Sequence, residues 1–225
     1  MLAAYIHQFE DEFGCAVGGL AGTVDSFTEM GHEWNRMLMG FGIKRVHMQQ
    51  LIRRTGEFST WDAKRMNSLL EVAAGIIVRR ASSVHGHFVD KRECAGSSQE
   101  SYVACCDSAV LRNITACGVW GKQSASHARL PILFDDETVG EREVERLVAA
   151  ANQEGILDRY SIGPISCADA MAIGPLQAAA IVAEDCRLEF RFDGGSGKYF
   201  RPFRARSGRG KPTFRRLSVA ELLHQ

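Results

Sequence analysis

Residues 130–137 read LPILFDDE, an apolar run that ends abruptly in three carboxylates. A short apolar run bounded by polar residues reads as a strand buried in a sheet. The acids at its end have two readings. Asp135 and Asp136 either close the strand in a polar loop or present metal ligands at the edge of a sheet. Asp136 and Glu137 also fit a solvated or capping role ahead of the next helix.

The residues after the strand point to alternation. GEREVERLVAAANQEG, from residue 140, is an acidic-first helical pattern ending near Gly155. RYSIGPIS is a further short strand, and Pro175 opens a helix through LQAAAIVAEDCRLEF. Upstream, LAAYIH and CAVGGLAGT read as two paired strands. Phe27, Met30, Trp34, Met37 and Leu38 recur at helical spacing after Asp25 or Ser26. KRVHMQQLIRRTGEF is a connector with one or two helical turns. Ser59 or Thr60 is expected to cap a long helix carrying Trp61, Met66, Leu69, Leu70, Ala73, Ile76 and Ile77. SSVHGHFV alternates like a strand, and SYVACCDSAVLRNITACGVW fits a buried helix. Strands and helices in this order predict an α/β layered domain over residues 1–193. Residues 194–225 then form a basic tail, irregular through Arg216, with LSVAELLHQ as a short closing helix.

The 225 residues are 45% hydrophobic and 24% charged, the balance of a soluble globular chain. The longest greasy run, LLEVAAGIIV, is far too short for a bilayer, and no early stretch reads as a signal peptide, so no membrane contact is expected. Seven scattered cysteines without a Cys-x-x-Cys pair predict a reduced cytoplasmic protein lacking disulfides and structural zinc. Cys105 and Cys106 lack the charged surroundings of a catalytic thiolate. The net charge of zero hides an asymmetry: from Arg191 onward nine bases face two acids, so the tail is +7 and the rest −7. Arg201, Arg204, Arg206, Arg209, Lys211, Arg215 and Arg216, interleaved with Tyr199, Phe200, Phe203 and Phe214, suit phosphate neutralisation and base stacking on nucleic acid. The same charges also suit a tail docked on its own acidic body.

Four segments together carry a family resemblance: AYIH followed by GGLAGT, EWNRMLMGFGIKRVHM with GEFSTWDAKR, LPILFDD, and GPLQAAAIVAE. In order and spacing they resemble the bacterial, archaeal and phage "domain of unknown function 3800" family. The likeness runs to about residue 200, with the tract from Glu33 to Arg65 the most specific. The resemblance implies a ribonuclease H-like fold, a mixed sheet with helices on both sides, and a metal-dependent, nuclease-like site. Such a site holds two divalent ions, magnesium or manganese, between several carboxylates.

The chain departs from the family pattern at its acids. Where the family has Tyr-Ile-Asp and a second acid, this chain has Tyr5, Ile6, His7 and Gln8. The acid after His47 and Met48 is replaced by Gln49 and Gln50. The Gln-x-Ala-Asp of the last helix reads Gln177, Ala178, Ala179, Ala180. Asp135, with Asp136, is what remains, so LPILFDDE looks like the remnant of a metal cluster.

The residue readings stay double. His7 is a transition-metal ligand or a polar core residue. Glu184, one turn after Ala180, substitutes for the lost acid or is simply solvated. His47 lines the site or is structural. His85 and His87 share a strand face at metal-ligand spacing, without a third ligand nearby, and read as structural. GGSGK, residues 194–198, lacks the spacing and the Ser or Thr of a phosphate loop. The expectation is a protein with a degenerate metal site, weak or inactive as an enzyme, that binds nucleic acid or a partner. The alternative is an active metal-dependent phosphodiesterase using His7, Asp135 and Glu184. A third reading is a plain partner-binding subunit, and whether that partner is a second copy of the chain stays open.

Overall fold

The computed structural model describes residues 1–94, 98–124, 128–136, 138–170, 172–191 and 213–217. The first two apolar runs pair as an antiparallel hairpin, β1 (Leu2–Glu10) with β2 (Gly14–Thr23). Its turn is closed by the Asp11 carboxylate, which accepts from the backbone N–H of Phe13 at 2.8 Å and Gly14 at 3.2 Å. β3 (Ser83–Asp90) adds antiparallel to β2. β4 (Leu130–Asp135) lies parallel to β1, and β5 (Ile162–Ala168) parallel to β4. With β6 (Thr213–Leu217) parallel to β3, the mixed sheet has the order β5-β4-β1-β2-β3-β6.

The helices begin and end where local chemistry dictates. In α1 (Val24–Phe41), Thr23 accepts from the Ser26 N–H, and left-handed Gly42 returns its N–H to the last carbonyls. The connector holds α2 (Met48–Arg53) and one 3-10 turn at Gly56–Phe58. α3 (Ala63–Arg80) is capped by Asp62, which accepts from the Arg65 N–H at 2.7 Å, and not by Ser59 or Thr60. Trp61 therefore sits ahead of the helix, packed on Phe58 and Phe41. α4 (Gln99–Gln123) is the buried helix and α5 (Glu141–Gln153) the acidic-first one. Gly140, not Asp136, occupies its N-cap; Asp136 is exposed, and Glu137 lies outside the described residues. α6 (Ile156–Arg159) is one turn, and α7 (Gly174–Arg191) carries Pro175 in its first turn.

Strand alternation sorts the core into two layers. Leu2, Ala4 and Ile6 of β1 join Cys15, Val17, Ile132 and Phe134 under α4 and α5. Ala3, Leu20 and Val84 face the other way, onto α1, α3 and α7. Asp135, next to Phe134, thereby lands on the α7 side.

The segment expected to be irregular contributes β6. Its Leu217 enters the core, and Arg216 pairs with Asp90 and Glu93 at 3.0 and 2.5 Å. Arg216 is therefore docked on the body, whereas Arg215 is exposed. Arg201, Arg204, Arg206, Arg209 and Lys211, the GGSGK stretch and most of LSVAELLHQ lie outside the described residues.

His85 and His87 point under α4, where Asn113 lies within 3.4 Å of His87 Nδ1. Burial, and then the Arg215 charge, lowers His85 from 6.5 to about 4. Burial first, then His85, Arg112 and Arg215, lowers His87 to about 3. In acid the unfolded chain therefore binds protons that the folded chain refuses. The histidines' contribution is fully present above pH 6.5 and is lost as pH falls toward 4 and 3. Stability should drop by about 1.4 kcal/mol per pH unit for each histidine across that window. Chemical denaturation at a series of pH values checks this, and His87→Gln should flatten the slope. An unchanged slope would refute the assignment.

Candidate functional site

The strand registers build the site. Tyr5, Ile6 and Leu133, Phe134 are in step across the parallel β1–β4 pair, so His7 and Asp135 become neighbours. The His7 Nδ1 and Asp135 Oδ2 are 3.0 Å apart, with side chains 12% and 5% exposed. A carboxylate only accepts, so in the neutral imidazole Nδ1–H donates and Nε2 keeps its lone pair.

α7 is laid over this pair by a missing side chain. Gly18 sits opposite His7 in the hairpin. A Cβ on Gly18 would lie 2.3 Å from the Ala183 nitrogen and 2.4 Å from the Ala179 oxygen, both helix backbone. Only glycine permits that approach. It brings Gln177, Ala180 and Glu184, spaced three and four apart on one helix face, over the strand ends.

Gln177 is a clip. Its Oε1 accepts from Trp34 Nε1 at 3.1 Å and from the Val46 N–H at 2.8 Å, while its Nε2 donates to the Ala170 carbonyl at 2.9 Å. Fixing Val46 places its neighbours Arg45 and His47 on the wall of a cavity of about 210 Å3. The other lining residues include His7, Phe9, Gln49, Asp135, Thr138, Gln177, Ala180 and Glu184. His47 therefore lines the cavity. Gln50 does not: its side chain lies over Gly56, and Gln49 faces the cavity in its place.

Glu184 is not a solvated glutamate. It is 3% exposed and takes two hydrogen bonds from Arg187, at 2.8 and 2.5 Å, while Arg187 Nη1 donates to Asp11 at 2.9 Å. Burying a carboxylate requires such a partner. Sequence reasoning missed Arg45, Thr138 and Arg187. The i,i+3 spacing of Glu184 and Arg187 was the one visible signal.

Asp135 is engaged by His7 and Glu184 by Arg187, and among the described residues no group of three or more His, Cys, Asp or Glu side chains is placed to hold an ion. Several thiols are held away from the thiolate form by burial. All seven cysteines are free. Burial raises the Cys94 and Cys117 thiols to about 11 and about 12, and a hydrogen bond with Cys106, then burial, raises Cys15 well above its ordinary value. Among the described residues no helix is long and apolar enough to cross a membrane. Neither a family model nor a curated protein matches the chain.

Proposed function

We propose that the cavity receives a phosphodiester of a nucleic acid, and that the chain is a ribonuclease H-like protein of the family resembled by its motifs, weak or inactive in magnesium-dependent hydrolysis. One observation carries the reading: the two buried carboxylates of the cavity are engaged by His7 and Arg187, while Arg45 and His47 stand on the same wall. A mixed sheet between helices, with four motif positions (His47, Gln177, Ala180 and Asp135) around one cavity, supports the ribonuclease H-like part. The arginine-rich tail supports the nucleic-acid part, with Arg215 exposed at the sheet edge.

The test combines binding with metal titration. Oligonucleotide affinity should fall by orders of magnitude between low and physiological salt. Replacing Arg201, Arg204, Arg206 and Arg209 with serine, which leaves β6 intact, should remove most of it. Calorimetry with magnesium should show no binding, because among the described residues no cluster of anionic side chains offsets the dication. His7→Asp, Gln49→Glu and Ala180→Asp together should create it.

A second reading, a metal-dependent phosphodiesterase with a rearranged ligand set, is favoured by His7, Asp135 and Glu184 all lining one cavity. Strong magnesium- or manganese-dependent cleavage by the unmodified protein, abolished by Asp135→Asn, would establish it and overturn the first.

A further inference from the structure

Resting on the reading that a phosphodiester occupies this cavity, we propose that the protein cleaves RNA without a metal ion, with His7 as general base and His47 as general acid. Asp135 holds one nitrogen of His7 at 3.0 Å, which orients the ring and, in the neutral imidazole, leaves Nε2 as a lone-pair acceptor. A carboxylate orienting an imidazole in this way is the arrangement that makes histidine an effective base. Such a base needs an acidic O–H beside the phosphorus. RNA carries its own in the 2′-hydroxyl, and DNA does not.

His47 lines the same cavity, on a segment held in place by the bond from the Val46 N–H to Gln177. Its own carbonyl is tied to the Leu51 N–H at 2.9 Å, so the residue is anchored at the start of α2. Arg45, which also lines the cavity, is the cation that would answer the negative charge developing on the phosphoryl oxygens. Metal ligands must crowd one ion at about 2.0–2.6 Å. An acid and a base that flank a phosphodiester stand apart on either side of it. The cavity is lined by two histidines, and among the described residues no metal set converges there.

The step balances within these groups. His7 Nε2 takes the proton of the 2′-hydroxyl, and the 2′-oxygen forms a bond to phosphorus. The bond from phosphorus to the 5′-oxygen breaks, and protonated His47 delivers a proton to that leaving oxygen. The products are a 2′,3′-cyclic phosphate and a free 5′-hydroxyl. Water entering in place of the leaving group, with the two histidines exchanging roles, opens the cyclic phosphate to a 3′-phosphate and restores both.

The experiment incubates the full chain with a short RNA in excess EDTA, beside DNA of the same sequence and its 2′-O-methyl RNA analogue. Expected are RNA fragments ending in 2′,3′-cyclic phosphate, no cleavage of the other two, and retained binding of the 2′-O-methyl strand. His7→Gln and His47→Gln should each slow cleavage about a hundredfold or more, a loss far larger than any accompanying change in affinity for the 2′-O-methyl strand. An intact RNA in EDTA, with the 2′-O-methyl strand still bound, sinks this mechanism and leaves the binding reading standing. Failure to bind any strand overturns both. Cleavage that survives both histidine substitutions removes the assignment of the two residues.

Discussion

Gly18→Ala should destabilise the protein by about 3 kcal/mol or more, or prevent it from folding. The added methyl would meet helix backbone at 2.3 and 2.4 Å, so relief requires moving α7 off the sheet rather than rotating a side chain. Because α7 carries Gln177, Ala180 and Glu184, the displacement should also open the cavity. Gly31 provides the contrast. It lies within α1, and a methyl added there would meet nothing within 4 Å, so Gly31→Ala should stabilise by about 0.5–1 kcal/mol through helix propensity. Denaturant midpoints of the two variants should therefore move in opposite directions. A Gly18→Ala protein that unfolds at the parental midpoint would mean that α7 does not rest on β2 as described.

Arg187→Met should cost about 3–5 kcal/mol, the range for removing one partner of a buried ion pair. The arginine is 4% exposed and answers both Glu184 and Asp11, so its loss takes a counter-charge away from a buried carboxylate. Adding Glu184→Gln to Arg187→Met should recover part of that loss, since the amide needs no counter-charge. A double-mutant cycle by chemical denaturation measures the coupling. Coupling near zero, or a single Arg187→Met change within about 0.5 kcal/mol of the parent, would refute the account.

Much of the architecture was legible because periodicity reports burial directly. Phe27, Met30, Trp34, Met37 and Leu38 are all buried on α1, and LPILFD is a strand with Leu130, Ile132 and Phe134 in the core. What the sequence concealed depends on distant partners. Glu184 reads as solvated until Arg187 and Asp11, from the other end of the chain, close around it. Gln49 and Gln50 differ by one helical step, so which one faces the cavity depends on the phase of the six-residue α2. TFRRL, with two arginines in five residues, carries too little apolar pattern to announce a strand; its pairing is supplied by the open edge of β3. The cap of α3 falls on Asp62 because three candidate capping side chains lie within four residues and the packing of Trp61 selects among them.

β6 also bears on how the molecule avoids sticking to itself. Without it, β3 would end the sheet on that side, presenting a row of unsatisfied amides and carbonyls to any neighbouring chain. The chain that leaves α7 at Arg191 must return to supply Thr213–Leu217, so edge protection depends on a strand that comes last among the described elements. Shortening the chain before Thr213 would therefore do more than remove positive charge. It would turn β3 into a template for intermolecular strand addition and shift the failure mode from unfolding to aggregation.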